Sequence, residues 1–503
     1  MSRGSGLDGV AGQAPAAPAR VVETHVSTVF LVGERAYKLK KPVVADFVDL
    51  STLAARRAAC EAEVELNRRL APDVYEGVAT VCGPGGEPWD HLVVMRRLPD
   101  DRRLTRVVER SRSAGEQAVV AVAQVVASFH RRAEHSERID EAGAPGFVLA
   151  LWSSSLRTLE GSELPAGARE LAARIGSLAR RYVLGCAPAF EVRVRSGRIV
   201  DGHGDLQADD VFCLDDGPRL LDCLEFDAEL RHGDVLADVA FLAMDLERLG
   251  HAKLAECFLR AYASASGDAW PASLREHWVA YRALVRAKVA ALRAAQGDVS
   301  ASARAAKLLA LCWAHLEAAI PRLVLVGGLP GTGKSTLAAG IAAARGWQLL
   351  RSDVVRRDLA NDQQASPGAP GFGTGRYRPG EVARTYAAML ARAVELVRGG
   401  ESVVLDATWT SRRQRQLAAL AAASCGAHLV ALRCDAPLAL AARRIARRAA
   451  AGLDASEASA RVAREMAARA DAWPEAATVD TTGAKRTSLG AALKAIAASR
   501  PTG

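Results

Sequence analysis

The chain has 503 residues, 50% hydrophobic and 24% charged, which are globular rather than disordered values. Its 66 basic and 57 acidic side chains leave a net charge of +9, which permits a nucleic-acid partner but is spread too thinly to indicate one. The length allows about three domains, and no apolar run approaches the ~18 residues of a membrane span.

Residues 1–20 are rich in Gly, Ala and Pro and lack the apolar stretch of a signal peptide, so they read as a flexible tail. Val29–Val32, a Gly33-Glu34 turn and Ala36–Lys40 predict a hairpin. Only nine of the 66 basic residues are lysine, and three of them, Lys38, Lys40 and Lys41, cluster here. Ser51–Leu70 predicts a helix with Ser51 as its N-cap. Two strands, Thr80–Cys82 and Leu92–Met95, follow around a Gly/Pro turn at 83–86. From Leu104 to Leu184 the pattern is mainly helical. A second hairpin is predicted at 211–214 and 219–221, around Asp215-Asp216-Gly217. Helices resume from Val235 to about Glu317. After Ile320 the pattern changes. Five short apolar strands, at 323–326, 348–350, 403–405, 429–432 and 477–479, alternate with helices, which predicts a parallel sheet covered on both faces. The Gly/Pro-rich stretch Gln363–Gly380 reads as a long loop or lid. The nine cysteines form no C-x-x-C pair, which points to a reducing, cytoplasmic compartment without disulfides or structural zinc.

The most specific motif is Gly328-Leu329-Pro330-Gly331-Thr332-Gly333-Lys334-Ser335, followed by Thr336. It fits G-x-x-x-x-G-K-[ST] between a predicted strand and a predicted helix. The glycines let backbone N–H groups wrap phosphates, Lys334 neutralises their charge, and Ser335 suits Mg²⁺. Asp406 ends the strand 403–405, where a carboxylate serves the metal's water shell; the bland alternative is a helix cap. Asp353 and Arg356 lie one helical turn apart. Asp353 could take a hydroxyl proton and Arg356 hold an anionic group, or the two could form an ordinary surface ion pair. Arg443, Arg444, Arg447 and Arg448 make a basic helical cluster, either a lid over the transferring phosphoryl group or a solvated face. On these residues, Arg322 to Thr482 resembles small P-loop kinases: gluconate kinase, zeta toxins and the kinase module of polynucleotide kinases. That resemblance implies an acceptor-site role for Asp353 and Arg356 and a lid role for Arg444, Arg447 and Arg448.

In the first part of the chain, His203-Gly204-Asp205-Leu206 precedes the second hairpin. From about Val22 to Gln296 the order of features resembles the aminoglycoside phosphotransferase group, relatives of the protein kinases. The resemblance implies that Asp205 accepts the substrate hydroxyl's proton. Asp210 stands where that group has a metal-binding Asn, a departure that keeps a hard oxygen ligand but adds negative charge. The second metal carboxylate is Asp222 or Glu225. The resemblance further implies that the phosphate-binding lysine is Lys38 or Lys40, which share one strand face, and that Glu63 is its partner. Leu92–Leu98 would be the adenine hinge, and Thr24–Ser27 falls at the phosphate loop without its glycines.

The expected architecture is therefore α+β and α/β: a two-lobed kinase-like domain at 21–320 and a P-loop parallel-sheet domain at 321–503. The whole order resembles a bacterial family of fused proteins labelled as AAA-type, ATP-binding. The expected function is an ATP- and Mg²⁺-dependent bifunctional phosphotransferase acting on a hydroxyl-bearing substrate. The alternatives are a polynucleotide 5′-hydroxyl kinase or repair factor, and a P-loop ATPase regulated by a pseudokinase.

Overall fold

The computed structural model describes residues 20–23, 26–45, 48–162, 164–361, 378–451 and 460–501. The expected tail up to residue 19, Thr24-His25, most of the 363–380 loop and the Arg448 side chain lie outside the described residues. The chain divides by contacts into two compact units: residues up to 142 with 199–268, and 143–198 with 269–503.

The first unit contains an antiparallel sheet. Its strands are β1 (Arg20–Glu23), β2 (Ser27–Val32), β3 (Arg35–Lys40), β6 (Tyr75–Cys82) and β7 (Pro88–Arg96), in the order β1-β2-β3-β7-β6. The short pair β4 (Val44–Ala45) and β5 (Val48–Asp49) follows β3. Central placement of β3 fixes both lysines between β2 and β7: Lys38 pairs with Val29 and Val93, and Lys40 with Ser27. The helix Leu53–Asn67 buries Arg56, Cys60, Glu63, Val64 and Asn67, a stripe at helical spacing. Cys60 and Val64 join Ala36, Tyr75, Val93 and Met95 in one core.

One expected cap is corrected. Thr52, not Ser51, caps this helix, and its Oγ1 accepts from Ala55 N at 3.1 Å. The Ser51 N–H is already engaged by Asp49 Oδ1 at 2.9 Å, so the preceding turn uses Ser51 and the helix begins one residue later.

The rest of the unit carries the predicted hairpin as β9 (Val211–Leu214) and β10 (Gly217–Leu220). β8 (Ile199–Asp201) pairs antiparallel with β11 (His232–Asp234). Helix Val235–Arg248 begins at the cap Asp234, whose side chain accepts from Leu236 N, and is buried from Val235 to Leu246.

The second unit is built on β12 (Arg322–Gly327), β13 (Gln348–Arg351), β14 (Val403–Asp406), β15 (His428–Asp435) and β16 (Ala477–Asp480). All pair in parallel in the order β13-β14-β12-β15-β16, and all five coincide with predicted strands. Two separate apolar clusters pack this sheet, one around Met389, Trp409 and Ala418, the other around Leu337, Ile341 and Ile496. That is the pattern of a doubly wound sheet. No helix among the described residues is long and apolar enough to cross a membrane.

The helices within 143–198 and 269–319 belong to this same unit. Arg181 donates to Gly426 O at 2.9 Å and Ala427 O at 2.7 Å, and Ser273 Oγ donates to Gly400 O at 2.6 Å. Gly185 approaches so closely that a Cβ would stand 2.4 Å from Cys425 O. Gly185→Ala is therefore expected to destabilise this unit by about 1–3 kcal/mol, read as a lowered thermal midpoint. An unchanged or raised midpoint would show that this contact relaxes freely.

Candidate nucleotide sites

Alternation along β3 places Lys38 and Lys40 on one face, and Glu63 rises from the helix beneath them. Glu63 serves both. Its Oε1 is 2.8 Å from Lys38 Nζ and its Oε2 is 2.5 Å from Lys40 Nζ. Lys38 also reaches Asp222 Oδ1 at 2.6 Å, while Lys40 contacts Glu225 Oε1. The two open alternatives thus sort into Lys38 with Asp222 and Lys40 with Glu225. Side-chain exposure separates them further: Lys40 is 1% exposed, Lys38 12% and Asp222 48%.

Burial works against the charge on Lys38, but Asp222, Glu63 and Glu225 outweigh it and hold its pKa well above the usual lysine value. Burial likewise opposes ionisation of Glu63, and the two lysines reverse that and lower its pKa. Lys38 lowers the pKa of Asp222. Glu225 differs: burial outweighs Lys40, and its pKa is raised.

Asp222 occupies the left-handed backbone region with φ 64°. Its N–H donates to Tyr75 Oη at 3.3 Å, and the next N–H, of Cys223, donates to Asn67 Oδ1 at 2.9 Å. Asp210 is brought alongside by a backbone bond from Leu221 N to Asp210 O at 3.0 Å. Burial first, then Asp222, Asp205 and Asp209, pushes the Asp210 carboxyl well above the carboxylate range. Three carboxylates, Asp205, Asp210 and Asp222, therefore share one neighbourhood.

The loop carrying Asp205 is held by a residue whose role the sequence did not reveal. Asp238, buried in the helix Val235–Arg248, accepts from His203 N at 2.6 Å and Gly204 N at 2.9 Å. His130 Nε2 lies 3.3 Å from the same carboxylate. Arg231 pairs with both oxygens of Asp201, and Arg69 donates to Gly202 O at 2.9 Å. The available signal was an aspartate on the apolar run Val235–Met244, which must have a buried partner. Asp205 is half-buried and accepts from Gln207 Nε2 at 2.8 Å.

In the second unit, Gly328, Gly331 and Gly333 all have positive φ. The space is as restrictive as the backbone: a Cβ on Gly331 would stand 2.4 Å from Ala441 O, and one on Gly328 2.6 Å from Thr332 Oγ1. Thr481 Oγ1 bonds Thr332 O at 2.5 Å, and Arg444 donates to Thr481 O at 2.7 Å. The loop, from Gly328 through Pro330 and Thr332, ends at the helix Lys334–Arg345, whose first N–H groups have no intrahelical partner and suit an anion. Lys334 and Ser335 are half-buried at this helix start, and Thr336 is exposed.

Asp406 ends β14 and is 4% exposed. Its Oδ2 accepts from Arg351 Nε at 3.1 Å, whereas its buried Oδ1 has no hydrogen-bond partner among the described residues. A buried carboxylate oxygen left open is the feature a hydrated cation would satisfy. Among the described residues no three acidic, histidine or cysteine side chains converge as a complete metal cage. Mg²⁺ is ordinarily held by one or two carboxylates with water and phosphate, so both units fit it.

Arg356 pairs with Asp353 at 2.9 Å, and both are largely shielded from solvent, unlike an ordinary surface pair. Of the basic cluster, Arg444 is brought to the P-loop and Arg447 lies exposed on the helix Leu438–Ala451. Arg351 and Trp409, which were not singled out from sequence, flank the site. Trp409 follows Asp406 with φ 53°, and its N–H donates to Tyr386 Oη at 3.3 Å.

The family described as "AAA domain" matches residues 323–473. "Uncharacterized protein Rv2004c" of Mycobacterium tuberculosis is 43% identical over 473 residues, covering 94% of each chain; "Uncharacterized protein Mb2027c" of Mycobacterium bovis matches equally. Among solved structures, a gluconokinase from Sinorhizobium meliloti is 17% identical over 35% of this chain and 92% of its own, with a TM-score of 0.26. A choline/ethanolamine kinase family protein from Mesorhizobium loti is 15% identical over 60% of this chain and 94% of its own, with a TM-score of 0.35. The fold assignment rests on the strand order and connections themselves.

The raised Asp210 pKa has a stability consequence. The folded state holds this proton more tightly than the unfolded chain does. The wild type therefore loses stability as pH rises from the ordinary carboxylate range through the raised folded value. In metal-free buffer, Asp210→Asn is expected to be more stable than wild type at neutral pH, with the gap closing as pH falls into the ordinary carboxylate range. Urea midpoints across pH measure this, and parallel pH profiles would contradict it.

Proposed function

The chain belongs to the same family as Rv2004c of Mycobacterium tuberculosis, matching it over 94% of its length, and we propose that it works as an ATP- and Mg²⁺-dependent phosphotransferase with two nucleotide sites. One observation carries this reading. In each unit a lysine suited to phosphate is set near a carboxylate: Lys38 lies 2.6 Å from the half-exposed Asp222, and Lys334 follows the loop after β12, whose end pairs with the β14 end where Asp406 keeps a buried oxygen without a hydrogen-bond partner among the described residues.

In the second unit, the N–H groups of 328–335 hold the phosphates and Lys334 balances their charge. Ser335 and Asp406 hold Mg²⁺, which, when bound with ATP, neutralises charge developing on the transferred phosphoryl group. Asp353 takes the acceptor hydroxyl's proton, and Arg356 orients an anionic group of the acceptor. Arg444 supports the loop, and Arg447 belongs to the lid.

In the first unit, Lys38 meets the phosphates, held by Glu63. Asp222 and Asp210 hold the metal, and Asp205 takes the proton. The acceptor of each site is a small hydroxyl-bearing molecule, and the location is cytoplasmic. Sequence modules 21–320 and 321–503 supply one site each, although the helices before residue 320 pack with the P-loop sheet.

Asp210 in the expected Asn position favours a second reading, in which the first unit senses nucleotide without transferring phosphate. ADP release by the full-length chain, screened against a panel of hydroxylated metabolites, separates the two. Lys334→Ala is expected to lower turnover at the P-loop site by ~10²-fold or more, and Asp205→Asn to abolish turnover at the other. Turnover that only Lys334→Ala removes selects the sensing reading. Turnover unchanged in both variants would sink the assignment of residues.

A further inference from the structure

The kinase-like unit carries one more buried lysine than phosphate binding requires. We propose that Lys40 and Glu225 form a positioning pair that fixes the chain segment bearing Asp222, so that Lys40 governs metal binding without touching nucleotide. This rests on the reading of that unit as a nucleotide site.

Lys38 and Lys40 share a strand face, but Lys40 is 1% exposed and enclosed by two carboxylates, Glu63 Oε2 at 2.5 Å and Glu225. Turning its ammonium towards a phosphate would strip Glu225 of its counter-charge and leave Glu63 with Lys38 alone, and breaking a buried pair is strongly unfavourable. Glu63 divides its oxygens between the two lysines. It thereby ties the Lys40 pair rigidly to the Lys38 pair that faces the open side.

Residues 221–225 have no regular secondary structure, yet Asp222 is held at φ 64°. Aspartate enters that region more readily than most side chains but still at a cost, so the contacts on either side of it decide whether it stays there. On the near side, Tyr75 and Asn67 receive the N–H groups of Asp222 and Cys223. On the far side, Leu224 N donates to His203 O at 3.1 Å and Arg231 donates to Leu224 O at 3.0 Å. Glu225 is the next residue, and it is the one side chain of residues 221–225 besides Asp222 that pairs with β3. The segment is thus pinned to β3 at two points three residues apart, by Lys38 through Asp222 and by Lys40 through Glu225. Removing the second pin frees the first to rotate out of the left-handed region, moving the half-exposed carboxylate away from Asp210.

The test uses the full-length chain with the P-loop site silenced by Lys334→Ala, and follows ATP binding calorimetrically at varied Mg²⁺ and in EDTA. Lys40→Met and Glu225→Gln are each expected to raise the half-saturating Mg²⁺ concentration about 10-fold or more. Both should leave metal-free ATP affinity within about 2-fold, and the double variant should be no worse than either single one. Lys38→Met should instead weaken ATP with and without metal. Glu225→Gln keeps the Lys40–Glu63 pair and serves where Lys40→Met fails to fold. The inference is overturned if the Mg²⁺ response of folded Glu225→Gln equals that of the parent, or if Lys40→Met weakens metal-free ATP as Lys38→Met does. If Lys38→Met leaves ATP binding intact, the nucleotide reading of this unit falls, and the inference with it.

Discussion

Glu63 is a buried carboxylate with a lysine ammonium on each oxygen. Two like-charged lysines two residues apart on a strand would repel, and a carboxylate without partners in that core would lose its charge. Shared, they define the geometry of the first unit. The helix Leu53–Asn67 is fixed against β3, and Asn67, one turn after Glu63, reaches on to Cys223. Lys38 and Lys40 then draw in Asp222 and Glu225, so the segment between hairpin and helix is set by the same charges. Across from it, Asp238 performs the matching task for the loop at His203–Asp205, with two backbone N–H groups on one buried carboxylate. The result is a group of acidic side chains held close together, a situation that favours arrival of a divalent cation.

The second unit solves the same problem with backbone rather than side chains. Positive-φ glycines bend the loop between β12 and the helix at Lys334, and Ala441 at Gly331 and Thr332 and Cys434 at Gly328 leave no room for a side chain there. Asp406 is the counterpart of Asp222. Arg351 occupies one of its oxygens and leaves the other buried and open. In both units a basic residue orients a carboxylate through one oxygen and leaves the remaining oxygen for other chemistry.

Much of this was legible in the sequence. The five parallel strands are short apolar runs between turns and helices, and the P-loop motif is specific because its glycines answer a backbone demand. The two hairpins followed from their turns. What escaped reading escaped for physical reasons. Lys38 and Lys40 lie on the same strand face, so alternation cannot separate them; only the depth of burial does. Asp222 and Glu225 sit three apart in a segment without periodicity. Ser51 and Thr52 are both good caps, and the choice was made by Asp49, which claimed the Ser51 N–H. Asp238 was visible but mute, because its partners are backbone N–H groups 35 and 34 residues away. The helices at 143–198 and 269–319 gave no sign of packing with a sheet that begins after them, since Arg181 and Gly185 meet residues 425–427 only in three dimensions.

The central claim is that one chain holds two independent nucleotide sites. Equilibrium titration of the full-length protein with a non-hydrolysable ATP analogue and Mg²⁺ counts them directly. The account predicts two equivalents per chain, one lost in Lys334→Ala and the other in Lys38→Met. A single equivalent, removed entirely by Lys334→Ala and untouched by Lys38→Met, would contradict it.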